Sequence, residues 1–131
     1  MKKILLMTGF ILSTFLVIAQ KKSYTMFASQ YSVGWWNSVK EEYVYNDQIP
    51  TRIKIVSDEK NKLIHVNNKR FKMLASSESI EKDGIRMVTQ EAIDWRNNKC
   101  RIRMALFSDN TTLFYILYPK ASVLYYIGPR D

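Results

Sequence analysis

Histidine and cysteine each occur once in this chain, as His65 and Cys100, and that scarcity removes several chemistries at the outset. A lone cysteine closes no internal disulfide. The two residues together fall short of a structural zinc site, which takes four nitrogen or sulfur ligands. A cysteine nucleophile wants an imidazole beside it, so that route requires Cys100 and His65 to meet in space. Glycine is also sparse, with four residues, and there is no Gly-rich phosphate loop, no G-x-S-x-G elbow and no H-E-x-x-H. Paired carboxylates at the defined separation that glycoside hydrolysis needs are missing too. Glu41 and Glu42 are neighbours that face opposite ways on a strand, and Glu91 and Asp94 approach each other only across a bulge or turn. The expectation is a protein that is not an enzyme and carries no cofactor and no metal, with hydrolase chemistry the least supported reading.

Long apolar runs are equally rare, and the one present stands at the start. In MKKILLMTGFILSTFLVIAQKK two lysines precede an apolar stretch from Ile4 to Ala19, and Val17 and Ala19 supply the small residues of a cleavage point. This is the order of a secretory signal. Cleavage is expected between Ala19 and Gln20, leaving residues 20–131 as a single domain in the periplasm or outside the cell. The competing reading is an uncleaved anchor, although the run is somewhat short of the roughly 20 residues a membrane span needs. The chain has 20 Lys plus Arg against 12 Asp plus Glu; without Lys2 and Lys3 the balance is 18 to 12, a net charge of +6. Inside a cell such a charge would make nucleic acid a leading partner, and export removes it. The basic residues are spread from Lys21 to Arg130 without a dense run, the pattern of a solvated surface.

Short alternating runs fill the remainder from Thr51, separated by polar turns at intervals of about 8 to 12 residues, the spacing of an all-β meander. The expected strands are TRIKIVS (51–57), KLIHVN (62–67), RFKMLA (70–75), IRMVTQEAID (85–94), CRIRMALF (100–107), TLFYILY (112–118) and VLYYI (123–127), with SSESIEKDG read as a polar connection. Side chains alternate between faces along a strand. CRIRMALF therefore places Cys100, Ile102, Met104 and Leu106 on one face and Lys99, Arg101 and Arg103 with the other. Cys100 reads as a small buried hydrophobe. The expected interior is Ile53, Ile55, Ile64, Val66, Phe71, Met73, Ile85, Met87, Ile102, Met104, Leu113 and Tyr115.

Two regions leave the alternation ambiguous. Between Tyr24 and Asn46, Tyr24, Phe27, Ala28, Tyr31 and Trp35 recur at helical spacing, while the abundance of Tyr, Thr, Val and Trp favours strand; strand is adopted. In the last hairpin both faces are apolar: with Leu113, Tyr115 and Leu117 in the core, Phe114, Ile116 and Tyr118 fall on the far side, near Leu124 and Tyr126. A bare patch of that size invites association, so either the aromatic N-terminal segment folds over it or a ligand or partner does.

Gly34 and Trp36 form a G-x-W that resembles the first-strand motif of lipocalin-like proteins. A signal ending in AQ, a tryptophan-bearing first strand and the run QEAIDWRNNKCRIRMALF resemble small exported β proteins of Gram-negative bacteria, mostly of unassigned function. The expected fold is all-β, one antiparallel meander rolled into a small barrel or half-barrel. The expected function is non-catalytic binding of an envelope partner or of a small amphiphilic or sugar ligand, through Tyr31, Trp35, Trp36, Phe114, Tyr118 and Tyr126. Trp and Tyr suit such work because each presents a large, stiff surface. The alternative is a structural or accessory envelope protein without a small-molecule ligand.

Overall fold

The structure, a computed structural model, describes residues 23–128, with the backbone alone at 75–77. The segment read as an export signal, together with its cleavage point, lies outside the described residues. Nine strands and no helix occur among the described residues: β1 (Ser23–Asn37), β2 (Glu42–Tyr45), β3 (Ile49–Asp58), β4 (Leu63–Val66), β5 (Lys69–Lys82), β6 (Ile85–Ile93), β7 (Lys99–Leu106), β8 (Thr112–Leu117) and β9 (Ala121–Ile127). The aromatic N-terminal segment is thus strand.

Consecutive strands from β3 to β9 pair antiparallel, and β1 closes the sheet by pairing with β3 on one edge and β9 on the other. The result is a closed eight-stranded barrel. The ninth strand, β2, lies beyond β3 on the same edge of β1, because Gly34 and Trp35 pair with β2 and β9 at once. Closure leaves β1 and β9 without the open edges that a half-barrel would expose.

Register decides which side chains point inward, since cross-strand partners share a face. Val88, Met104, Phe114, Tyr125 and Tyr31 are successive partners around the wall, and Gln90, Ile102, Ile116, Val123 and Val33 form the next layer. The core gathers Ala28, Ile55, Ile64, Val66, Phe71, Met73, Ala92, Cys100, Ile102, Phe114, Ile116 and Ile127. The face expected for Cys100, Ile102, Met104 and Leu106 is correct, but four expected core residues are not in it. Tyr115 pairs with Arg103 and Leu113 with Ala105, so both lie on the outer face, while Phe114 is fully buried inside. The run TLFYILY is apolar at both parities and carries no face of its own; Arg101 and Arg103 of β7 fix it through register. In β6, Met87 is exposed and Ile85 sits at the strand end, while Val88, Gln90 and Ala92 point in. An inward glutamine beside an outward methionine defeats the simple alternation.

The expected polar connection SSESIEKDG is mostly strand as well. β5 runs to Lys82, and Lys82 pairs with Ile85 across a two-residue turn in which Asp83 and Gly84 have φ of 55° and 78°. Positive φ at both central residues is the hairpin turn that Asp-Gly favours. Residues 78–82 are exposed throughout, so this ribbon had no buried face to imprint an apolar pattern.

Candidate functional site

The loops after β1, β4, β6 and β8 gather at one end of the barrel, and that end is sealed. Phe71 is fully enclosed, and Trp95 meets it edge-on with ring centroids 5.6 Å apart. Lys69 and Arg96 stand over the Trp95 ring at 4.8 and 5.4 Å. Beside them Asp94 is buried and collects donors: its Oδ1 accepts the backbone N–H groups of Arg96 and Asn98 at 2.9 and 2.8 Å, and its Oδ2 accepts the Tyr118 hydroxyl at 2.6 Å. Burial alone would raise the Asp94 carboxyl, but the hydrogen bonds from Tyr118, Asn98 and Arg96 outweigh it and hold it below 3.8. Burial, then the bond to this carboxylate, pushes the Tyr118 hydroxyl up.

Cys100 lies beside this network, buried, and burial followed by the Asp94 charge pushes its thiol up to about 11. A thiolate nucleophile needs the opposite environment. His65 alternates with the buried Ile64 and Val66 and therefore faces outward, away from Cys100 on the inner face. The two do not form a nucleophilic pair. Among the described residues no three His, Cys, Asp or Glu side chains gather as a metal site would require.

The opposite end is open. Here the loops after β3 and β7 meet the start of β1 and the end of β9, around a cavity of about 810 Å³. Its walls are largely apolar and include Met26, Met73, Val88, Ile102, Met104 and Leu106. Neutral polar groups, Ser57, Gln90 and Thr112, interrupt them, while the charged lining residues Asp58, Glu59 and Lys62 belong to the end of β3 and the turn after it. Asp58 is tied to Asn61, whose side-chain and backbone donors lower its carboxyl. Glu59 is exposed, and partial desolvation at the lip raises its carboxyl above 4.5. Gln90 has a structural task too: the β5 register shifts between Met73 and Ser77, and Gln90 Nε2 donates to the Leu74 carbonyl in that interval.

Neither protein-family models, nor curated proteins, nor solved structures gave a match to this chain. The lipocalin-like resemblance therefore stands on the closed barrel itself.

The six residues expected to form a ligand surface are dispersed. Phe114 is core, and Tyr31 is partly buried inside the wall against Tyr125, at 6.4 Å between ring centroids. Tyr118 is held inward by Asp94. Trp35 and Trp36, 52% and 43% exposed, stand on the β1–β2 hairpin, with Trp36 edge-on to Tyr43. Tyr126 is on the outer face with Leu113. That outer face is partly covered by β2: Tyr45 lies over Gly34, shares a 2.9 Å hydrogen bond with the Ser122 hydroxyl, and approaches Tyr115 at 6.4 Å. Tyr43 donates to the Tyr118 carbonyl. Sequence reasoning followed the aromatics, whereas the cavity is walled mainly by methionine, isoleucine and leucine. Met26, Met73 and Met104 were visible as strand residues, but nothing local marks inward positions that remain unfilled.

Proposed function

We propose that this protein is a non-catalytic binding domain that takes the apolar part of a small amphiphilic molecule into the open end of its barrel, acting in the periplasm or outside the cell. The cavity carries this reading. An eight-stranded barrel has an interior just large enough either to be filled by side chains or to hold one small ligand, and here about 810 Å³ is open beside an otherwise packed core. Three methionines in the wall suit an apolar guest of variable shape, because the unbranched thioether adapts to its surroundings. Apolar residues make up the greater part of the described lining, which suits an apolar chain better than a sugar.

The test is uptake of N-phenyl-1-naphthylamine, a neutral fluorophore that brightens in apolar surroundings. The purified protein should bind it saturably, and Val88→Phe, which places a ring in the cavity, should weaken that binding while thermal stability is kept. Equal binding by the two proteins would remove the cavity as the site. A second reading, docking to an envelope protein, is favoured by the β1–β2 hairpin, which exposes Trp35 and Trp36 on its two faces and Val39, 91% exposed, at its turn. Fluorophore uptake unaffected by Val88→Phe but lost in Trp35→Ser would support that surface instead.

A further inference from the structure

Resting on the cavity reading, we infer that the buried part of the guest carries no charge and that it brings a hydrogen-bonding oxygen to the level of Gln90. The polarity of the cavity changes with depth. Leu106, Thr112 and Ile127 form a layer by register near the mouth, Met104 and Phe114 the layer below, and Ile102 with Gln90 the layer below that. Every charged residue among the described lining, Asp58, Glu59 and Lys62, is at the end of β3 or in the turn that follows it. Arg86, opposite Leu106 in register, has an interaction of its own and does not line the cavity. Below the lip the described lining holds only neutral polar groups.

Gln90 is a polar group of the lining two layers below Leu106 and Thr112. Ile102, its partner in register, is four residues from Leu106, about 13 Å along a strand at roughly 3.3 Å per residue. One N–H of its carboxamide is engaged by the Leu74 carbonyl. The oxygen and the second N–H are what it offers to a guest in the cavity it lines. A carboxylate or ammonium drawn to that depth would find no opposite charge among the described lining residues, and burying an unpaired charge is strongly unfavourable. A hydroxyl or an ester carbonyl would find a partner. The class of guest is therefore an uncharged lipid-like molecule with one oxygen function within its length: a long-chain alcohol or ester, and neither a fatty acid anion nor an alkylammonium.

The experiment is displacement of bound N-phenyl-1-naphthylamine by four ligands of one chain length, hexadecanol, methyl palmitate, palmitate and hexadecylammonium, below their micelle-forming concentrations. The alcohol and ester should displace it at least about tenfold more effectively than the two ions, given the cost of burying charge. In Gln90→Leu, with each ligand referred to that variant's own affinity for the fluorophore, the alcohol should lose its advantage over hexadecane. Gln90→Glu, which keeps shape but adds a charge, should move the ranking toward the ammonium. Palmitate binding as well as the alcohol, with that affinity lost in Lys62→Met, would overturn the neutral class in favour of a lip-held anion and leave the cavity reading intact. No uptake of the fluorophore by the unaltered protein would instead remove the cavity reading, and this inference with it.

Discussion

At the floor of the barrel Phe71 is enclosed under Trp95 and the inward polar atoms of Asp94 and Tyr118 are mutually satisfied, whereas at the mouth Met26, Met104 and Leu106 border open volume. Both ends are built from the same meander with the same inward alternation. What separates them is the polar groups available. The β6–β7 turn brings Asp94, whose carboxylate is met by donors from its own turn and from Tyr118 just after β8; the β3–β4 turn brings charges whose partners, as at Asp58 and Asn61, lie within the turn itself. A carboxylate that binds across strands ties the wall shut. One that binds within its own turn leaves the wall apart.

The sharpest test of that contrast is truncation at each end. Phe71→Ala should destabilise the domain by about 3–5 kcal/mol, the usual range for a buried phenylalanine, read by urea unfolding. Met104→Ala should cost distinctly less than the 2 kcal/mol at which buried-methionine truncations usually begin, because its side chain already borders space. Equal losses would mean that the mouth is packed as tightly as the floor.

Next in size is Tyr118→Phe, which strips one donor from a buried carboxylate and should cost about 1.5–3 kcal/mol, the range for a hydrogen bond to a charged group. The same network predicts an acid response. The folded Asp94 carboxyl lies below its ordinary value of 3.8, so its contribution is complete above the unfolded carboxyl value, about 3.9, and is lost as pH falls through the folded value. Asp94→Asn should accordingly be less stable than the parent at neutral pH, with the gap narrowing in acid. A gap constant from neutral pH to strong acid would show that the charge contributes nothing.

Gly34→Ala tests the strap on the outer wall. A Cβ there would stand 2.7 Å from the Tyr45 ring, so the ring must move and its bond to Ser122 with it; a loss of about 1–3 kcal/mol is expected for such overpacking. In a Tyr45→Ala background the same substitution should cost much less. Smallest is Cys100→Ser, about 1 kcal/mol for a hydroxyl buried without a good partner, with slow thiol labelling of the parent that accelerates on unfolding. Fast labelling of the folded protein would contradict the sealed floor.

Much of the fold was legible in the sequence because β3, β4 and β7 alternate cleanly: Ile53 and Ile55, Ile64 and Val66, and Ile102 and Met104 each announce one face. Legibility failed where alternation carried no contrast. Residues 113–118 are apolar on both sides, so their face is set by pairing with Arg101 and Arg103 rather than locally. Residues 78–82 have solvent all round, so polar residues occupy both sides with Ile80 alone among them and no apolar face is marked. The cavity was illegible for a further reason: an inward residue that touches a neighbour and one that borders space have the same sequence.

The strand β1 has a consequence for how the chain reaches this state. Each pairing from β3 to β9 joins strands next to each other in sequence, but closure joins Gln30 to Tyr126, nearly the whole length of the described chain. Contacts of such long separation form late, because the loop entropy must be overcome before they stabilise anything. The hairpins of β3 to β9 should therefore assemble first as an open, curled sheet, with the final zip between β1 and β9 setting the folding rate. Until then β9 offers an unpaired edge that is apolar on both faces from Val123 to Ile127, a template for another chain. Crowding, or deletion of the last few residues of β9, should divert molecules at this stage into oligomers, and slow refolding should depend on protein concentration even though the closed barrel does not.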